Sequence, residues 1–210
     1  MIAQQAVTGR RGTRTMPSAT AGASRSSRPT ARGTFPTSGG GAGAGWQARE
    51  VKIVPLSAVH ARDAEALVDA ALGGRQQARL DEVIDVLDLP GLGSWEDDRL
   101  VGLATFALDG TSGEIAALCV AADRRGAGIG GQLIDTTIEA VRSRGVERLW
   151  LVTTNDNLVA LALYQRHGFR LTELRPGAID RARAAKPAIP EIGSNGIPMH
   201  DELILTRQLR

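Results

Sequence analysis

The chain is 210 residues long, 42% hydrophobic and only 3% aromatic, enough for one ordinary domain with a core of Leu, Val, Ile and Ala. Its net charge of +2 is unevenly placed: Arg10, Arg11, Arg14, Arg25, Arg28, Arg32 and Arg49 are the only charged side chains before Glu50, whereas residues 50–210 carry 18 basic and 23 acidic residues. The acidic balance of that larger part argues against a nucleic-acid partner, the lone Cys119 excludes an intrachain disulfide and zinc motifs built on several cysteines, and no apolar run approaches the ~18 residues of a membrane helix.

Residues 1–48 are rich in Gly, Ser, Thr, Ala, Pro and Arg and lack apolar periodicity. Such composition buries too little to offset the entropy of ordering, so this segment reads as a disordered basic tail. It runs into the linker-like stretch Gly39-Gly40-Gly41-Ala42-Gly43-Ala44-Gly45. The acid-free, Arg- and Ser-rich start is also similar to an organelle transit peptide, but no apolar secretory segment is present. A cytoplasmic protein is the expectation, with residues 49–210 as its single folded domain.

That domain alternates between strand and helix patterns. Residues 51–55 read as a strand, then 63–72 and 79–87 as helices separated by Gly73-Gly74. A turn at Asp97-Asp98 leads into a strand over 100–108, and Asp109-Gly110 turns it into a second strand over 114–120. Over 128–144, Ile129, Leu133, Ile134, Ile138 and Val141 recur at three- and four-residue spacing, which predicts an amphipathic helix. A strand over 149–154, a helix over 157–167 and a strand over 169–174 follow. Residues 176–198 read as a long Pro- and Gly-rich loop before a last strand over 203–209. The order predicts an α/β fold, a mixed sheet with helices on both faces.

The most informative stretch is Arg125-Gly126-Ala127-Gly128-Ile129-Gly130-Gly131, which follows a strand and opens a helix. Backbone N–H groups and the positive end of the helix dipole converge there, and glycines let the chain approach phosphate oxygens without Cβ clashes. Gly126, Gly128 and Gly131 satisfy the G-x-G-x-x-G dinucleotide pattern, with Asp156 near the place of a ribose-binding acid. That pattern normally follows its strand directly and opens a repeated β-α-β array. Here Ala121 to Arg125 intervene and antiparallel-type strands come first. No Lys-Ser or Lys-Thr follows the glycines, so a P-loop is excluded.

Read as Arg-x-x-Gly-x-Gly, the same loop resembles the pyrophosphate-binding motif of the GNAT superfamily of N-acetyltransferases. The resemblance extends to both sides. Leu118-Cys119-Val120 is similar to the family's splayed fourth strand, whose backbone pairs with the pantetheine arm. Asn157-x-x-Ala160-x-x-Leu163-Tyr164-x-x-x-Gly168-Phe169 resembles its second cofactor-side motif. A departure is Ala122-Asp123, where members often carry a proline. The resemblance implies a mostly antiparallel central sheet and acetyl-CoA as co-substrate, with no metal. It also implies transfer of the acetyl group to an amine of a small molecule or peptide, and leaves a homodimer open.

The resemblance implies Tyr164 as the acid that protonates the departing thiolate, in keeping with ordinary pKa values of ~10 for Tyr and ~8.5 for a thiol. It implies that Asn157, also a helix N-cap, contacts the cofactor arm, and that a backbone N–H of residues 118–120 holds the carbonyl oxygen. Cys119 reads as a buried strand residue. Strand alternation puts Glu114, Ala116, Leu118 and Val120 on one face, and some histone-acetylating members place their catalytic glutamate at the Glu114 position. A solvated strand-end carboxylate is the competing reading. Asp201 and Glu202 are candidates for holding a cationic substrate, again against simple solvated charge. His60, His167 and His200 have no metal-ligand spacing. A non-catalytic acyl-CoA-binding module of the same fold and an NAD-dependent enzyme stand as the alternatives.

Overall fold

The computed structural model describes residues 51–210, so the tail expected over 1–48 lies outside the described residues. Strand β1 (Val51–Pro55) leads through a short 3-10 turn into helix α1 (Ala61–Leu72). The helix buries Ala64, Leu67, Val68, Ala71 and Leu72, a three-and-four spacing that gives one apolar stripe. It stops at Gly73, whose φ of 71° suits a left-handed cap and whose N–H bonds Asp69 O.

The expected helix over 79–87 is instead a hairpin of β2 (Gln76–Arg79) and β3 (Glu82–Asp85). The chain reverses at Leu80 and Asp81, with φ of 49° and 64°, as a two-residue primed turn requires. These conformations cost non-glycine residues energy. Leu80 is held there by its N–H, which donates to both carboxylate oxygens of Glu202 at 3.1 and 3.3 Å. Asp81 is held by Arg175 and Arg181. Tertiary bonds thus override the local helical spacing.

Strands β4 (Gly91–Glu96), β5 (Arg99–Asp109) and β6 (Ser112–Val120) form an antiparallel run. The sequence showed no sign of β4, since two glycines dilute its apolar pattern. Both are needed: a Cβ on Gly91 or Gly93 meets Leu56 and strand neighbours within about 3 Å. Helix α2 (Ile129–Arg142), β7 (Arg148–Thr154), helix α3 (Leu158–Arg166), β8 (Arg170–Arg175) and β9 (Glu202–Gln208) complete the expected order. The loop expected over 176–198 holds a further helix, α4 (Ala178–Ala185), which sinks Ile179 against Ala78, Val152, Ile189 and Met199.

The main sheet runs β1-β4-β5-β6-β7-β9-β8, antiparallel except for the β6–β7 pair. The expected mixed, mostly antiparallel sheet is therefore present. Helix α1 packs on one face over Leu103, Ala117 and Cys119. Helix α2 packs on the other over Val101, Ala104, Phe106 and Ile115, and Tyr164 of α3 joins the same cluster.

Candidate active site

After β6 the chain makes a 3-10 turn over Ala122–Arg124 and then the glycine loop. Two ion pairs fix the turn: Arg99 meets Asp123 at 2.7 and 2.8 Å, and Arg124 meets the buried Glu96. Gly126 and Gly128 have φ of 81° and 84°, and a Cβ on either meets nothing within 4 Å. They are glycines because of backbone conformation, with open space left above them. Helix α2 starts at Gly128 with no side-chain cap. The N–H groups of Gly126, Gly128, Ile129, Gly130 and Gly131 find no acceptor among the described residues. An uncapped helix start with converging donors is an anion seat. Arg125 is exposed, and its Nε donates to Val120 O at 3.3 Å. Ala127 is exposed beside it, whereas Ile129 is buried in the core.

Next to this seat the sheet opens. Parallel pairing of β6 with β7 covers only Ser112 to Ile115 against Arg148 to Leu151. Beyond that, the β7-facing backbone edge of Ala116 to Val120 has no strand partner among the described residues, while Val152 to Thr154 stay paired to β9. Leu118 and Val120 turn to the α2 side. Cys119 turns to the α1 side, where burial pushes its thiol up to about 12. A thiol so held is protonated, and an acetyl-cysteine route has no support.

Helix α3 borders the gap. Asn157 caps it: its Oδ1 accepts from Ala160 N–H at 3.1 Å and its Nδ2 donates to Thr153 Oγ1 at 3.3 Å. Tyr164 is buried and packs edge-on against Phe169, ring centroids 6.0 Å apart. Burial first, and the nearby Cys119 second, raise its phenol above the ordinary value. The helix also touches the glycine loop: a Cβ on Gly130 meets Leu163 at 3.4 Å, and one on Gly131 meets the His167 ring at 2.9 Å.

Glu114 departs from expectation. It does not share a face with Leu118 and Val120, because β6 carries a bulge at Ala116: Thr105 pairs with Ala117 and Phe106 with Ile115. The extra residue flips the alternation. A solvated carboxylate is excluded as well, since the Glu114 side chain is only 5% exposed. Arg79 meets it at two points, Nη2 donating to Oε2 at 2.8 Å and Nε lying 2.6 Å from Oε1. Desolvation raises its carboxyl to about 6 against the lowering effect of Arg79, with Glu82 adding a smaller upward push.

Other candidates are occupied elsewhere. Glu202 is buried under the hairpin turn and receives Arg175 Nη1 at 3.1 Å. Asp201 accepts from Gly177 N–H at 2.9 Å. Glu202 is therefore no solvated charge, whereas Asp201 is half-buried with one carboxylate oxygen already held. Asp156 is buried and accepts from Ser194 N–H at 2.7 Å, so it anchors the β8–β9 connection rather than facing a ribose. His60 lies by Ser57 and the Trp95 ring, His167 by Asp135, His200 by Asp180. Among the described residues no three His, Cys, Asp or Glu cluster to hold a metal, and no helix is long and apolar enough to cross a membrane. The residue that sequence reasoning missed is Arg79, which bears no motif and meets Glu114 only through the fold.

Comparison with known proteins agrees with this geometry. A family model described as the acetyltransferase (GNAT) family matches residues 64–169. The Bacillus subtilis (strain 168) protein YxbD is 35% identical over 161 residues, covering 76% of this chain and 100% of its own length. A mycothiol acetyltransferase of Clavibacter michiganensis is 35% identical over 74 residues, 35% of this chain and 24% of that protein. Among solved structures, a Bacillus subtilis acetyltransferase in complex with CoA aligns with a TM-score of 0.62 at 21% identity, covering 77% of this chain and 100% of that one. A family model spanning half the sequence, the full-length relative and the splayed sheet beside its glycine loop agree: this chain belongs to the GNAT acetyltransferase family.

Proposed function

We propose that the protein transfers the acetyl group of acetyl-CoA to an amine of a small molecule or peptide. One observation carries the reading: an uncapped, glycine-lined helix start lies directly beside the opening between β6 and β7. The loop from Arg125 to Gly131 suits the cofactor pyrophosphate, and the open β6 edge suits its pantetheine amides. Asn157 at the mouth of α3 supports the arm while it caps the helix.

In the chemical step the amine nitrogen attacks the thioester carbonyl carbon. A C–N bond forms, the C–S bond breaks, and the amine gives up a proton. A backbone N–H of Leu118, Cys119 or Val120 stabilises the carbonyl oxygen, a role that needs no side chain. Glu114 takes the amine proton through a water, and Tyr164 gives a proton to the thiolate. A carboxyl raised to about 6 remains mostly ionised at neutral pH and is a better base than an ordinary one. The phenol, raised by burial, is held as the proton donor.

An acetyl-CoA consumption screen over polyamines, aminoglycosides, amino acids and peptide N-termini tests the proposal. Turnover with at least one amine class is expected. Tight CoA binding with no turnover across the panel overturns catalysis in favour of a binding module.

A further inference from the structure

The β2–β3 hairpin pairs with neither edge of the main sheet. Two four-residue strands are marginal by themselves, so its ties decide where its side chains point. Leu80 is bonded to Glu202 and Asp81 is paired with Arg175. Lys186 Nζ donates to Gln76 O at 2.8 Å. Ala78 and Leu80 pack with Val152, Ile179 and Met199. The hairpin is thereby clamped at its turn and along its strands, and Arg79 is carried onto Glu114.

The charged groups facing Glu114 are Arg79 from β2 and Glu82 from β3, and Glu82 is itself engaged by Arg79 Nη1 at 3.3 Å. Its neighbours across the sheet, Ala107 on β5 and Trp150 on β7, carry no charge. A carboxylate offers about four lone-pair positions. Arg79 Nη2 takes one on Oε2, and its Nε lies 2.6 Å from Oε1 without an in-line hydrogen bond. One guanidinium therefore faces both oxygens, and lone pairs remain for a proton. Without a cation at this contact, so buried a carboxylate protonates or swings away.

We propose that Arg79 is a positioning residue for acetyl transfer: from the clamped hairpin its guanidinium faces both oxygens of Glu114 and locks the carboxylate in one place, one residue before β6 and β7 part. The inference rests on Glu114 as the base. Arg79 acts only through Glu114 and touches neither acetyl-CoA nor the amine.

The test is a carbon-13 titration of glutamate carboxyls in the full-length, CoA-saturated protein. It is run beside pH profiles of kcat/KM with an amine from the screen. In wild type the Glu114 midpoint and the acidic limb of kcat/KM are expected together near about 6. Arg79→Gln moves both upward by about one unit or more. It leaves CoA affinity unchanged, while the alkaline plateau of kcat/KM falls as the unlocked carboxylate leaves its place. Arg79→Lys, keeping the charge on a single contact, falls between. An unmoved midpoint in Arg79→Gln, or an alkaline plateau equal to that of wild type, overturns the proposal. If Arg79→Gln fails to fold, Arg79→Lys decides: an upward midpoint supports the proposal and coincidence with wild type overturns it. Glu114→Gln separates the two claims. An acidic limb that survives Glu114→Gln sinks the base reading itself. A limb abolished by Glu114→Gln yet unmoved by Arg79→Gln sinks only the role of Arg79.

Discussion

Glu114 and Cys119 sit on the same face of β6, although five positions separate them and an unbroken strand puts such residues on opposite faces. The bulge at Ala116 makes the difference. Gly113 and Ile115 face the α2 side, where a Cβ on Gly113 meets Leu149 and Val146. Glu114 therefore turns to the hairpin side, where Arg79 meets it.

Activity is accordingly expected to depend on pH through Glu114. Its ordinary value of 4.5 is raised to about 6 by desolvation, and only the ionised form accepts a proton. kcat/KM is therefore full above that value and falls as the pH drops through it. Glu114→Gln removes this limb and lowers kcat/KM by ~10²–10⁴-fold. Profiles of both proteins from about pH 5 to about pH 9 check the sign, and a wild-type limb that rises toward acid refutes it.

CoA, and not NAD, is expected to stabilise the fold. Ligand at ~100 times its dissociation constant adds ~2.7 kcal/mol, a rise of roughly 5–11 °C in Tm for a domain of this size. Gly128→Asp abolishes the rise twice over, because φ is 84° there and a carboxylate then faces the phosphates. Thermal melts with each nucleotide decide the matter.

Tyr164→Phe keeps the ring against Phe169 and removes only the proton donor. A drop in kcat of ~10²-fold is expected, the low end for positioned acid catalysis because solvent also protonates a thiolate. CoA affinity by calorimetry should stay as it was. If affinity and kcat fall together, the hydroxyl binds the cofactor and the assignment is wrong.

The glycine loop and the helix of the second motif were legible as structure because they are local: Arg125 to Gly131 makes one turn and one helix start, and Asn157 to Phe169 one capped helix and its exit. The cofactor and catalytic roles proposed for them came from the family resemblance. The hairpin was not legible. Leu80, Val83, Ile84 and Leu87 repeat at three and four residues, which fits a helix as well as two short strands, and Leu80-Asp81 lacks the glycine that usually marks such a turn. The face of Glu114 was misread for a related reason: nothing about Ala116 announces a bulge. Arg79 and Glu114 lie 35 residues apart, so their meeting exists only in the folded chain.

Two neighbouring glycines are expected to behave oppositely. Gly130→Ala brings its methyl 3.4 Å from Leu163, near ordinary contact, and improves helix propensity, so stability holds or rises by up to ~1 kcal/mol. Gly131→Ala drives a methyl to 2.9 Å from His167 Nε2, a ring held by Asp135 at 2.9 Å. A loss of ~1–3 kcal/mol follows from that overpacking. Melting temperatures of the two variants check the contrast, and equal shifts refute it.

Residues 49–210 are expected to fold without the preceding segment, since β1 to β9 all lie within 51–210. A chain beginning at Trp46 should match the full chain in Tm and CoA affinity, and a marked drop in either moves the domain boundary.

The contacts of Leu163 and His167 with Gly130 and Gly131 have a metric consequence. They knit the first turn of α2 to the last turn of α3, so in the proposed reading the point that grips the pyrophosphate and the phenol that meets the sulfur sit at a set separation. In that reading the pair of helix ends acts as a ruler for the acyl carrier. A thioester on a shorter arm can reach one end of that gauge but not both, and so acetyl donors lacking the full pantetheine span should be turned over poorly even where they bind.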